Sequence, residues 1–104
     1  MIVDRLIRAK PDLNARTSKG CTPLHLGVQK NHKGIVKSLL AAKSEVNASN
    51  HKGQTPLHIA CKESRRSLVT LLMDAGARTD VRDSEGRIPF DVATEDKIRE
   101  QVRN

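Results

Sequence analysis

The 104-residue chain has no tryptophan, no tyrosine and a single phenylalanine, Phe90. Its core must therefore be built from Leu, Ile, Val and Ala. That favours packed helices over a β-sandwich, whose strands draw on aromatic and β-branched side chains. The lack of rings also leaves nothing to stack on unpaired bases, which argues against nucleic acid as the partner. Cysteine is scarce. Cys21 and Cys61 lie in different settings and are too few for a disulfide framework, so a reducing, intracellular location (cytoplasm or nucleus) is expected. Long apolar runs are missing too. Charges interrupt every one before it reaches the roughly 18–20 residues of a membrane span, and the opening MIVDRLIRAKPD does not read as a signal peptide. The chain has no phosphate-cradling glycine loop with its lysine, no GxSxG and no HExxH. Its carboxylates Asp74, Asp80 and Asp83 are scattered rather than paired. The expectation is a non-catalytic chain with no cofactor and no metal.

Positive charge is in excess. There are 19 Lys and Arg against 12 Asp and Glu, a net +7, but residues 83–104 hold four basic and six acidic side chains. A basic front and an acidic tail would steer an acidic partner; the plainer alternative is a solvated surface.

The chain repeats itself at an offset of 33 residues. Gly20, Gly53 and Gly86 align, as do Pro23, Pro56 and Pro89. Leu24, Leu57 and Phe90 share a register, followed by Leu26, Ile59 and Val92. Upstream, Ile2, Ile35 and Leu68 match, then Leu6, Leu39 and Leu72, then Ala9, Ala42 and Ala75. Asn14, Asn47 and Asp80 close the unit. Periodicity of this length denotes stacked supersecondary units. Within a unit, Thr22 and Thr55 sit where an N-cap belongs, and Pro23 and Pro56 follow at the first helical position. After a break at Lys30 to Lys33, a second helix runs over about 34–42. Its residues Ile35, Val36, Leu39 and Leu40 share one face. The polar stretches NARTSKG, NASNHKG and DVRDSEG lie between units, each ending in a glycine suited to a turn.

GCTPLHLG, IVKSLL and EVNA, then GQTPLHIA and LVTLLMDAGARTDV, then GRIPFDVA make the chain resemble the ankyrin repeats over its whole length. The resemblance implies an all-α solenoid of stacked helix-turn-helix units with projecting β-hairpin-like loops. The expected organisation is one array over 1–104: a partial N-terminal repeat (1–15), full repeats at 16–48 and 49–81, and a C-terminal capping repeat (82–104). Several residues depart from the family pattern. Asn31 and Ser64 replace the glycine between helices, and Arg65 replaces the following histidine. Ile88 and Asp91 replace the capping Thr and the histidine of the last unit, whose first helix is expected to be poorly capped. Ile98 and Val102 are expected to face inward from a brief final helix. The chain opens within a second helix, so Ile2, Val3, Leu6 and Ile7 are expected to be half covered. A longer parent array or self-association through this helix would explain that.

Two readings compete for His25, His58 and Cys61. One is a metal or proton-relay site, but the spacing of zinc ligands is missing. The other is structural, and the resemblance implies that the histidines link neighbouring units while Cys61 packs like Val28 one unit earlier. Cys21, beside a turn glycine, is expected to be more accessible. Asn47-Ala48-Ser49 matches a glycosylation sequon, which is silent inside a cell. The resemblance also implies that Asn14 and Asn47, each eight residues after a leucine, are candidate asparaginyl-hydroxylation positions.

The resemblance assigns partner contact to loop tips and first helices. In the first full repeat these are Arg16, Ser18, Lys19, Cys21, Gln29 and Lys30. In the second they are Ser49, His51, Lys52, Gln54, Lys62 and Glu63. In the cap they are Arg82, Ser84, Glu85 and Arg87. The expected function is a protein-binding module, acting as adaptor or inhibitor, whose partner offers an acidic or polar extended segment. The alternatives are a basic surface for an anionic polymer or lipid, and a structural spacer in a larger protein.

Overall fold

The computed structural model describes residues 16–102. The expected partial repeat, with Ile2, Val3, Leu6, Ile7 and Asn14, lies outside the described residues. Among those described, six helices and no strand are found. They are α1 (Pro23–Gln29), α2 (Lys33–Ala41), α3 (Pro56–Lys62), α4 (Arg66–Asp74), α5 (Pro89–Val92) and α6 (Asp96–Gln101).

Thr-Pro-Leu-His explains itself as a helix start. Thr22 and Thr55 are N-caps in extended backbone, with proline at the first helical position. The Thr22 hydroxyl accepts the His25 N–H at 3.4 Å, and the Thr22 N–H donates to His25 Nδ1 at 3.1 Å. Thr55 and His58 repeat this at 3.3 and 3.1 Å. Histidine thus fills the place of the glutamate in a capping box, returning a lone pair to the N-cap amide. The leucine between them, Leu24 or Leu57, is fully buried.

In the last unit Ile88 has no oxygen to offer, so only half of the box survives. The Asp91 carboxylate accepts the Ile88 N–H at 3.0 Å. The helix it starts, α5, has 4 residues where α1 and α3 have 7, in line with the loss of the cap.

The first helices α1, α3 and α5 pack in one row, and α2, α4 and α6 in a second row against them. Between the rows lies an aliphatic core of Leu24, Val28, Val36, Leu39, Leu57, Cys61, Leu68, Val69 and Leu72. Ile98 and Val102 of the final turn are fully buried, as their spacing predicts. Phe90 is only half-buried, and the Arg99 guanidinium covers its ring at 4.4 Å. Asn31 and Ser64, standing where the family has glycine, keep that glycine's backbone, with φ of 57° and 59°. Side chains hold such values at a cost of roughly 1–2 kcal/mol.

Candidate partner-binding surface

The polar stretches before α1, α3 and α5 form three copies of one tight tip. In each, a side-chain oxygen three residues before the glycine holds the turn together. Thr17 Oγ1 accepts the N–H groups of Lys19 and Cys21, both at 3.2 Å. Asn50 Oδ1 accepts those of Lys52 and Gln54 at 2.9 and 3.0 Å. Asp83 Oδ1 accepts those of Glu85 and Arg87, both at 2.9 Å. One main-chain rung crosses each tip at 2.9 Å, from Thr17 N–H to Cys21 O, Asn50 N–H to Gln54 O and Asp83 N–H to Arg87 O, and the glycine N–H closes the turn inside it onto Thr17, Asn50 or Asp83 O. The hairpin is therefore a single rung across a turn, too short to count as strand.

The tips are bound to one another through the backbone. His51 N–H donates to Lys19 O at 3.0 Å, and Ser84 N–H to Lys52 O at 2.8 Å. The histidines add a second ladder beneath. His25 Nε2 meets Gln54 O and His58 Nε2 meets Arg87 O, each at 2.8 Å and each one unit on. Because the threonine N–H already points at Nδ1, Nδ1 must carry the lone pair and Nε2 the proton. Both ring nitrogens are engaged, so neither histidine is free to bind metal. The linking role implied by the family resemblance is what these contacts show. Asp91, in the histidine's place, has no such donor and ends the ladder.

Burial lowers the pKa of His25 from its ordinary 6.5; its bond to the Gln54 carbonyl opposes the shift, and the Arg16 charge adds to it. The unfolded chain therefore gains a proton near pH 6.5 while the folded chain resists until lower pH. Stability from His25 is complete above about pH 6.5 and falls as the pH drops through that window. Unfolding free energies measured in urea at pH 7.5 and 5.5 are expected to decline, and to decline less in His25→Gln. An equal decline in both would contradict this. Asp83 adds a second, more acid step. Burial opposes its ionisation, but the N–H groups of Arg87 and Glu85 and the Arg87 guanidinium outweigh it and lower its pKa from 3.8. That contribution is complete above the ordinary value and is lost as the pH falls through the lowered one.

Of the expected contact residues, Arg16, Ser18, Lys19, Gln29, Lys30, Ser49, His51, Lys52, Lys62, Glu63, Arg82, Ser84, Glu85 and Arg87 are exposed. Cys21 and Gln54 are half-buried, with the Asn50 amide donating to Gln54 Oε1 at 3.0 Å and lying 3.8 Å from Cys21 Sγ. The cations divide into two kinds. Arg16 bridges Gly20 O at 2.9 Å and Ser49 O at 2.6 Å, tying one unit to the next. Arg82 holds Gly86 O at 2.8 Å, and Arg87 pairs with Asp83 at 3.0 Å and Glu85 at 3.4 Å. Lys19, Lys30, Lys52 and Lys62 form no ion pair among the described residues.

Three residues act between units without having been expected to, among them Gln101, whose Nε2 donates to Thr70 Oγ1 at 2.8 Å. Arg65 Nη2 reaches back to Gln29 O at 3.2 Å. Asn47 donates to Gly76 O at 3.3 Å and accepts the Arg78 N–H at 2.8 Å, so its amide is already part of the stack. Cys61 is fully buried and its thiol is pushed up to about 12, which makes it an inert core residue. Among the described residues no helix is long and apolar enough to cross a membrane.

The chain matches no curated protein sequence. A family model for ankyrin repeats, in 3 copies, matches residues 1–100. Together with the stacked capping boxes and tips, this places the chain in the ankyrin-repeat family, whose members generally act as protein–protein interaction modules and are typically non-catalytic.

Proposed function

We propose that the chain binds a partner protein along the row of tips and first helices, and that the partner presents an acidic, extended segment. The observation that carries this reading is the tip row itself. Main-chain bonds join the tips at 19, 51–52 and 84, so their exposed side chains form one continuous strip. Among the described residues Lys19, Lys30, Lys52 and Lys62 along that row form no ion pair, while the arginines brace the turns. Exposed lysines steer an anionic partner and screen readily with salt. The tightly braced backbone beneath them reduces the ordering cost of binding. Whether the module serves as adaptor or inhibitor depends on what the partner does when held.

A Lys19→Glu/Lys52→Glu double variant tests the reading, because neither side chain takes part in the fold. With a fluorescein-labelled, glutamate-rich decapeptide as probe, anisotropy is expected to show binding at low salt. The double variant should bind about tenfold more weakly, as expected for reversing two exposed charges. Equal affinity for both proteins would remove the tip row from the account.

A further inference from the structure

A second cationic site lies where the paired helices turn, and it shares no residue with the tips. Asn31, Lys33, Ser64, Arg65, Arg66 and Ser67 line a cavity of about 220 Å³. Two successive units build it, at equivalent register. Its lining holds three cations and no carboxylate. Arg65 is anchored by its bond to Gln29 O, which fixes its guanidinium at the cavity. Lys33 is exposed and forms no ion pair among the described residues. Arg66 has only a loose, exposed contact, its Nε lying 3.5 Å from Glu95. The helices that start here, α2 and α4, have neither a side-chain cap nor an acidic residue in the first turn. Their first N–H groups therefore add to the positive potential of the three side chains.

We propose that this cavity binds the phosphomonoester dianion of a phosphorylated peptide segment. A carboxylate would bring one charge, whereas a phosphomonoester brings nearly two and three acceptor oxygens for several donors. At about 220 Å³ the cavity has room for a tetrahedral group together with the peptide segment that carries it. Its polar lining offers no apolar side chain to enter a bilayer, which favours peptide over lipid. The chain has no tryptophan or tyrosine, Phe90 lies under Arg99, and none of the lining residues carries a ring, so the cavity offers no stacking wall to a nucleobase.

The test is an NMR titration of the ¹⁵N-labelled chain with N-acetyl-phosphoserine amide, with N-acetyl-serine amide and sodium chloride as controls. Saturable shifts are expected at the amides of Lys33, Gly34, Arg66 and Ser67. Lys33→Gln/Arg66→Gln, two exposed positions, should weaken binding at least fivefold while leaving the rest of the spectrum in place. Shifts that fail to saturate, that chloride reproduces, that survive the double substitution or that appear only at Lys19 and Lys52 would overturn the proposal. So would binding to phosphatidic acid vesicles with no response to the phosphoserine amide, since that would make the source a lipid.

Discussion

Replacing His58 by alanine is expected to cost about 3 kcal/mol of folding free energy, summing one unpaired buried donor, a carbonyl that loses one of its two bonds and a partly collapsed cavity. The imidazole is 1% exposed and joins two units. Its loss leaves the Thr55 N–H without its partner at 3.1 Å and strips the Arg87 carbonyl of its 2.8 Å bond, leaving that oxygen only the Asp83 N–H. A domain of this size has roughly 5–10 kcal/mol of stability in all, so the variant should approach the limit of folding at 37 °C. Urea denaturation measures the effect. His32→Ala is the control, because His32 is an exposed N-cap without a side-chain capping bond. It should change stability by less than about 0.5 kcal/mol. Equal effects at the two positions would deny the histidine its linking role.

The second large effect is expected at Gly53. Its φ of +73° already disfavours a side chain, and a Cβ there would lie 2.8 Å from Ser84 N and 3.0 Å from Asp83 Cα. Both atoms belong to the backbone of the next tip, so the tips must part and the Ser84 to Lys52 bond must stretch. Gly53→Ala should therefore cost about 3 kcal/mol, from the left-handed strain and the overlap together. Gly86 has a similar φ of +77° but nothing within 4 Å of a new Cβ. Gly86→Ala should cost only the conformational part, about 1 kcal/mol. Gly20→Ala falls between, since its Cβ would meet chiefly the His51 ring, which can swing aside. The order Gly53, Gly20, Gly86 in urea midpoints distinguishes stacking from turn strain; three equal losses would leave only the turn.

Much of this architecture is legible in the sequence, because identical residues repeat wherever identical backbone chemistry is required. Thr-Pro-Leu-His, the tip glycines and the inward Leu, Val and Ile all recur at one offset, and Cys61 is readable as core because Val28 holds its place earlier. The tip-holding oxygens are less visible. Thr17, Asn50 and Asp83 share a position and a task but no residue type, so alignment by identity passes over them. Asp83 then reads as one more scattered carboxylate. The signal that finds them is chemical: three residues before each glycine stands a short side chain bearing an acceptor oxygen. The long arginines are less legible still. Arg82 and Arg87 end on oxygens of their own tip that the tight turn brings close, and Arg16 and Arg65 on carbonyls of a neighbouring unit that only the folded stack brings within reach. From sequence they look like free surface charge, and this is why the lysines and arginines of the tip row cannot be told apart before the structure is seen.

Scalar couplings transmitted through hydrogen bonds, measured by NMR on the ¹⁵N,¹³C-labelled chain, address the stacked tips most directly. Correlations from His51 N to Lys19 C′ and from Ser84 N to Lys52 C′ should appear, alongside the ordinary helical one from Val69 N to Arg65 C′. If the helical correlation is present and both inter-tip correlations are missing, the tips do not form one strip, and the partner surface built on them fails with it.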